Sequence, residues 1–157
     1  MGTAATLERL QLPTFLQGTC DLDAYRRWLH GRAAAHVKRD RKRGNTTANV
    51  STYKAAIHAA VIASDGKDTY TGLPLRWDLI SKYDNLASKE GRRAYKKQFA
   101  DLPSVDHVGD GLGPPTFRIC SWQINDAKND LDESEFVKVC QAVMNYQAAI
   151  RADERPV

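Results

Sequence analysis

Val105-Asp106-His107-Val108, Thr116-Phe117-Arg118-Ile119-Cys120-Ser121-Trp122 and Asn125-Asp126-Ala127-Lys128-Asn129 decide how this chain is read. Residues 104–108 and 116–122 predict two short strands. Gly109-Asp110-Gly111-Leu112-Gly113-Pro114-Pro115 between them can only be a loop. A helix is expected from about Ile124 to Leu131. Neighbouring strand residues point to opposite faces, but at a strand end entering a glycine loop Asp106 and His107 can line one cleft. Asn125 and Asn129, four residues apart, share one helix face. Antiparallel pairing of the strands would bring that helix across Asp106 and His107. A carboxylate and amide oxygens then suit a hard divalent ion such as Mg²⁺, and the imidazole is left free to act as a base.

Outward from this segment the pattern is mostly helical. Leu22, Tyr25, Leu29, Ala33 and Val37 form one apolar stripe after Asp21, ending in Lys38-Arg39-Asp40-Arg41-Lys42-Arg43 and Gly44. Ser51 or Thr52 is expected to cap a second helix with Tyr53, Ile57 and Val61 inward. Thr71-Gly72 marks a turn, residues 77–83 a short helix and 88–99 a longer, very basic one. Asp132-Glu133-Ser134-Glu135 is a capping box opening a last helix with Phe136, Val139, Cys140, Val143 and Met144 inward. The fold class is α+β, mostly helical. A helical part spans residues 1–65, a second module 66–150 and a tail 151–157.

At 157 residues, 42% hydrophobic and 27% charged, the chain can bury a core. No apolar run approaches the roughly 18 residues of a membrane span, so no membrane association is expected. Three cysteines without a CxxC pair argue against a disulfide framework and predict a cytoplasmic setting. Cys120 and Cys140 read as small buried hydrophobes, and Trp28, Trp77 and Trp122 as core. Residues 26–43 carry eight basic side chains against Asp40 alone, whereas 126–154 carry seven acids against three bases. That asymmetry suggests one face built for phosphates. Lys38, Arg39, Arg41, Lys42 and Arg43, together with Arg92, Arg93, Lys96 and Lys128, are the candidate contacts.

The strand–loop–strand–helix order with Asp106-His107, Asn125 and Lys128 resembles the HNH, or ββα-metal, nuclease family. Tyr70-Thr71-Gly72-Leu73-Pro74-Leu75 looks like the knuckle that opens many of its modules, so the resemblance covers residues 68–130. It implies His107 as the general base and Asp106 and Asn125 as ligands of one Mg²⁺ or Mn²⁺, with Asn129 a weaker ligand. The implied activity is hydrolysis of nucleic-acid phosphodiester bonds, DNA being the substrate expected first and RNA remaining open. The alternative is an HNH-like module that binds nucleic acid without turnover. Two features depart from the family. Its zinc-binding cysteine pairs are missing, with Asp68 near the first, so no structural zinc is expected and ring packing by Tyr70, Trp77 and Trp122 would hold the knuckle. The middle-motif asparagine is absent near Thr116, so a backbone carbonyl, Thr116 or a loop residue would take its place. Oligomeric state is not legible from the sequence.

Overall fold

Asp21 starts the first helix, accepting the Ala24 amide at 2.7 Å through its side chain. In the computed structural model, which describes residues 10–153, this helix is α1, Leu22–Lys42. Its stripe of Tyr25, Leu29, Ala33 and Val37 is buried, as expected. Arg39, Arg41 and Lys42 occupy its last turn, where cations oppose the negative end of the helix dipole. The second helix, α2, is Val50–Ser64. Its cap is Asn49, which accepts the Thr52 amide at 2.9 Å, rather than Ser51 or Thr52. Tyr53, Ile57 and Val61 face inward.

The expected 77–83 helix is only a single 3-10 turn, Trp77–Leu79. The basic helix α3 is Asn85–Gln98, starting earlier than expected because the Asp84 side chain caps it. Strands β1, Pro103–Val108, and β2, Thr116–Ser121, form an antiparallel hairpin. Asp106 lies opposite Arg118 and His107 opposite Phe117. Helix α4, Trp122–Lys128, follows β2 without a loop. Val105, Phe117 and Ile119 on one face of the hairpin join the core formed by α1 and α2, so that core runs through both the helical part and the hairpin. Burying one such aliphatic or aromatic side chain contributes about 1.5–3 kcal/mol. Trp28 and Trp77 are core, as expected. Trp122 is only half-buried.

Among the described residues, those up to 126 form one compact unit and those from 127 on a second. The second holds α5, Glu133–Asp153, opened by the expected capping box: Glu135 N donates to Asp132 Oδ1 at 2.8 Å and Asp132 N to Glu135 Oε2 at 2.9 Å. Its inward stripe is a correction. Only Phe136 is buried, whereas Val139, Val143, Met144 and Cys140 are exposed. A 3.6-residue period shows that a helix has an apolar face, not that the same chain covers it. Among the described residues no helix is long and apolar enough to cross a membrane.

Candidate functional site

The imidazole of His107 lies against α1, not beside Asp106. Its Nε2 is 2.8 Å from Asp40 Oδ2, and the side chains are 5% and 0% exposed. The same oxygen accepts the Tyr53 hydroxyl at 2.6 Å, and Oδ1 faces Arg39 Nε at 3.3 Å. Burial alone would raise the Asp40 pKa, but the Tyr53 and His107 hydrogen bonds and the His107 and Arg39 charges hold it below the usual carboxylate range. Tyr53 is pushed up to about 12, first by burial and then by its bond to Asp40. Phe117 meets the His107 ring edge-on at 5.2 Å, and His36 lies 5.9 Å away. His107 Nδ1 is buried and has no hydrogen-bond partner among the described residues.

The last turn of α1 and the loop just after it contact both the glycine loop and the histidine. Asn45 Nδ2 donates to the Gly111 carbonyl at 2.7 Å, tying down the glycine loop, while Asp40 orients the histidine. Gly111 has φ +82, and a Cβ there would stand 2.6 Å from Asp40 Oδ1, so both backbone and space require glycine.

Asp106 points away from this pair. Its carboxylate accepts the Tyr70 hydroxyl, and Arg118, opposite it in the sheet, lies over the Tyr70 ring at 5.9 Å. Asn125 lies on the Asp106 side of the hairpin, donating from Nδ2 to Ser104 Oγ at 3.0 Å. Ser104 and Asp106 are two apart on β1 and share a face. The expectation that Asp106 and His107 line one cleft is therefore corrected: β1 keeps regular alternation through His107, and the cleft expected between them divides into two faces. Asn129 is corrected as well. Helix α4 ends at Lys128, and Asn129 takes φ 49, a left-handed helix-terminating conformation, so it does not stack one turn beyond Asn125.

Asp106 and Asn125 fit Mg²⁺ or Mn²⁺ by donor type. A carboxylate and a side-chain amide on the same side of the hairpin carry oxygen donors of the kind that such ions complete with water and substrate phosphate. Among the described residues no three His, Cys, Asp or Glu side chains gather as a metal site.

The knuckle is tied down by hydrogen bonds to Asp68, and Trp77 Nε1 adds one to the Gly66 carbonyl beside it at 3.2 Å. Asp68 is 2% exposed; its Oδ1 accepts the Tyr70 and Thr71 amides at 2.8 and 3.1 Å, and its Oδ2 the Ser121 amide at 2.7 Å. One carboxylate thus clasps the knuckle to the end of β2.

The basic run is more varied than its sequence suggests. Lys38, Lys42 and Arg43 are exposed. Arg39 is committed to Asp40, and Arg41 Nε donates to the Ala48 carbonyl at 2.9 Å. Arg92, Arg93 and Lys96 are exposed on α3. Lys128 is 5% exposed.

Asp40, Tyr53, Asn45 and Asp68 escaped sequence reasoning. The one available signal was Asp40 itself, the single acid among eight bases. His36, half-buried, lies beside this group, its ring 5.9 Å from His107 and 5.0 Å from Phe117. Burial first, then the Arg39 and His107 charges, push its pKa down to about 4, with Asp40 opposing. The folded state then binds fewer protons than the unfolded chain between pH 6.5 and about 4, so His36 contributes stability that is present above that window and lost as pH falls through it. The expected loss is roughly 2–3 kcal/mol. Urea unfolding at the two ends of the window checks this, and His36→Gln should remove that part of the pH slope.

Comparison of the chain with protein-family models, curated proteins and solved structures finds no match.

Proposed function

We propose that this chain is a metal-dependent phosphodiesterase acting on nucleic acid, with DNA its first substrate and His107 its general base. The observation that carries the reading is the bond between Asp40 and His107 Nε2, which leaves Nδ1 buried and without a hydrogen-bond partner among the described residues. Asp40 accepts from Tyr53 and Arg39 and so stands as an acceptor toward His107 too, which favours the Nε2–H tautomer. Nδ1 is then the nitrogen left to take the proton of an attacking water, once water gains access to this buried atom, and Asp40 would stabilise the imidazolium that forms, as an orienting carboxylate does in hydrolase triads. Asp106 and Asn125 would hold the metal. A bound Mg²⁺ supplies charge stabilisation at the phosphate and the leaving oxygen.

The opposite facing of Asp106 and His107 favours a second reading, a module that binds nucleic acid without cutting it. Nicking of supercoiled plasmid separates the two: Mg²⁺- or Mn²⁺-dependent cleavage blocked by EDTA supports the first, and salt-sensitive binding without cleavage the second.

Either reading places phosphates on the exposed cations at the end of α1. Each phosphate neutralised adds about −0.9 to the slope of log K against log salt. Joint replacement of Lys38, Lys42 and Arg43 by Gln should flatten the slope by roughly two to three, similarly for all DNA sequences, because phosphate contacts do not read bases. An unchanged slope in a binding titration would make this run a solvated helix end.

A further inference from the structure

An open recess of about 750 Å³ lies between α3 and the start of α4, within residues 1–126. Its lining carries Lys89, Arg92, Arg93 and Lys96, with no carboxylate, and two aromatic side chains, Tyr83 and Trp122. The four cations are exposed, and none is in an ion pair among the described residues. Two features keep them around one space. Arg93 and Lys96 are one helical three-residue step apart, and the backbone leaves the helix at Arg92, with φ 47 and ψ −128, so Lys89 reaches the same recess from the turn before the break. The rings of Tyr83 and Trp122 meet edge-on at 5.5 Å, and Lys96 Nζ stands 5.4 Å from the Trp122 ring centroid. Trp28 and Trp77 are 7% and 2% exposed, so the half-buried Trp122 is the tryptophan whose ring is open to a ligand.

Unpaired cations describe a phosphate site, and adjoining aromatic rings describe a place for a flat, apolar ring. We propose that this recess binds an unpaired nucleotide of a nucleic-acid strand, its base against Trp122 and its flanking phosphates on Lys89, Arg92, Arg93 and Lys96. The volume lies within the range of small-molecule pockets. Combining a basic groove with a stacking ring is how single strands are held without sequence preference. A base-paired nucleotide has its faces covered by its neighbours in the stack, so the recess selects single-stranded over duplex regions. The inference rests on the nucleic-acid reading above and assigns it a single-stranded segment away from His107.

The test uses the full chain in EDTA, with a short oligothymidine and a duplex of equal length as probes and inorganic phosphate as the bare-anion control. Oligothymidine should quench tryptophan emission, and phosphate should not. Trp122→Leu keeps an apolar side chain toward Leu79, Phe99 and Leu102, which Trp122 packs against. It should abolish the quenching and weaken oligothymidine binding about tenfold, leaving duplex affinity unchanged. Should that variant lose its fold, Lys89→Gln with Arg93→Gln alters exposed positions only, and it should weaken oligothymidine more than duplex. Duplex binding with no quenching by oligothymidine, or variants that weaken both probes equally, would overturn the recess alone. Failure of the wild-type chain to bind either probe would overturn the nucleic-acid reading with it.

Discussion

His107→Ala is expected to cut plasmid roughly 10²–10⁴ times more slowly than the wild-type chain in Mg²⁺, the range for loss of a general base. DNA affinity should be retained, because the His107 side chain is 5% exposed and the exposed cations are elsewhere. Asp40→Asn should lower turnover in the same direction. The Tyr53 hydroxyl and Arg39 Nε meet Asp40 as hydrogen-bond donors, and in the proposed tautomer His107 Nε2 does too. An amide must present its own NH₂ to one of them, so the arrangement that keeps Nδ1 free of a proton is lost. Single-turnover cleavage at saturating DNA separates this from weaker binding. Wild-type rates in carefully purified His107→Ala protein would remove His107 from the chemistry.

The second large effect concerns stability. Asp68→Ala strips the carboxylate from three backbone amides, one of them the buried Ser121 N–H, and is expected to cost about 3 kcal/mol. For a chain of this size that lowers Tm by roughly 6–12 °C. In contrast, EDTA should leave the Tm of the wild-type chain unchanged, since a carboxylate rather than a metal holds the knuckle. Thermal denaturation with and without chelator checks both. A large fall in Tm on chelation would reveal a structural metal and displace Asp68 from this role.

Local signals were legible in the sequence where the physics is local. The start of a helix after Asp21, the buried stripe of α1, the reciprocal bonds of Asp132 and Glu135, and the two strands around a glycine loop all depend on residues within a few positions of each other. The carboxylates that organise the site depend on distant ones. Asp40 reaches His107 across 67 positions and Asp68 reaches Ser121 across 53, separations at which a single sequence carries no periodicity. Side-chain direction was misjudged for the same reason. The alternation rule assigned Asp106 and His107 to opposite faces, and the allowance made for a strand end did not apply because β1 continues through Val108. Asn129 failed on a boundary: spacing alone places it over Asn125, but the helix had already ended. On α5 the apolar period was real and its burial was not.

The protonation of His107 tests the central claim most directly, and ¹⁵N NMR of the histidine rings reads it. At a pH where His107 is neutral, the expected result is the Nε2–H tautomer, with the proton shared toward Asp40 and a bare Nδ1; Asp40→Asn should shift that signature. A wild-type Nδ1–H tautomer would contradict the assignment, because the nitrogen proposed to take the proton from water would already carry one.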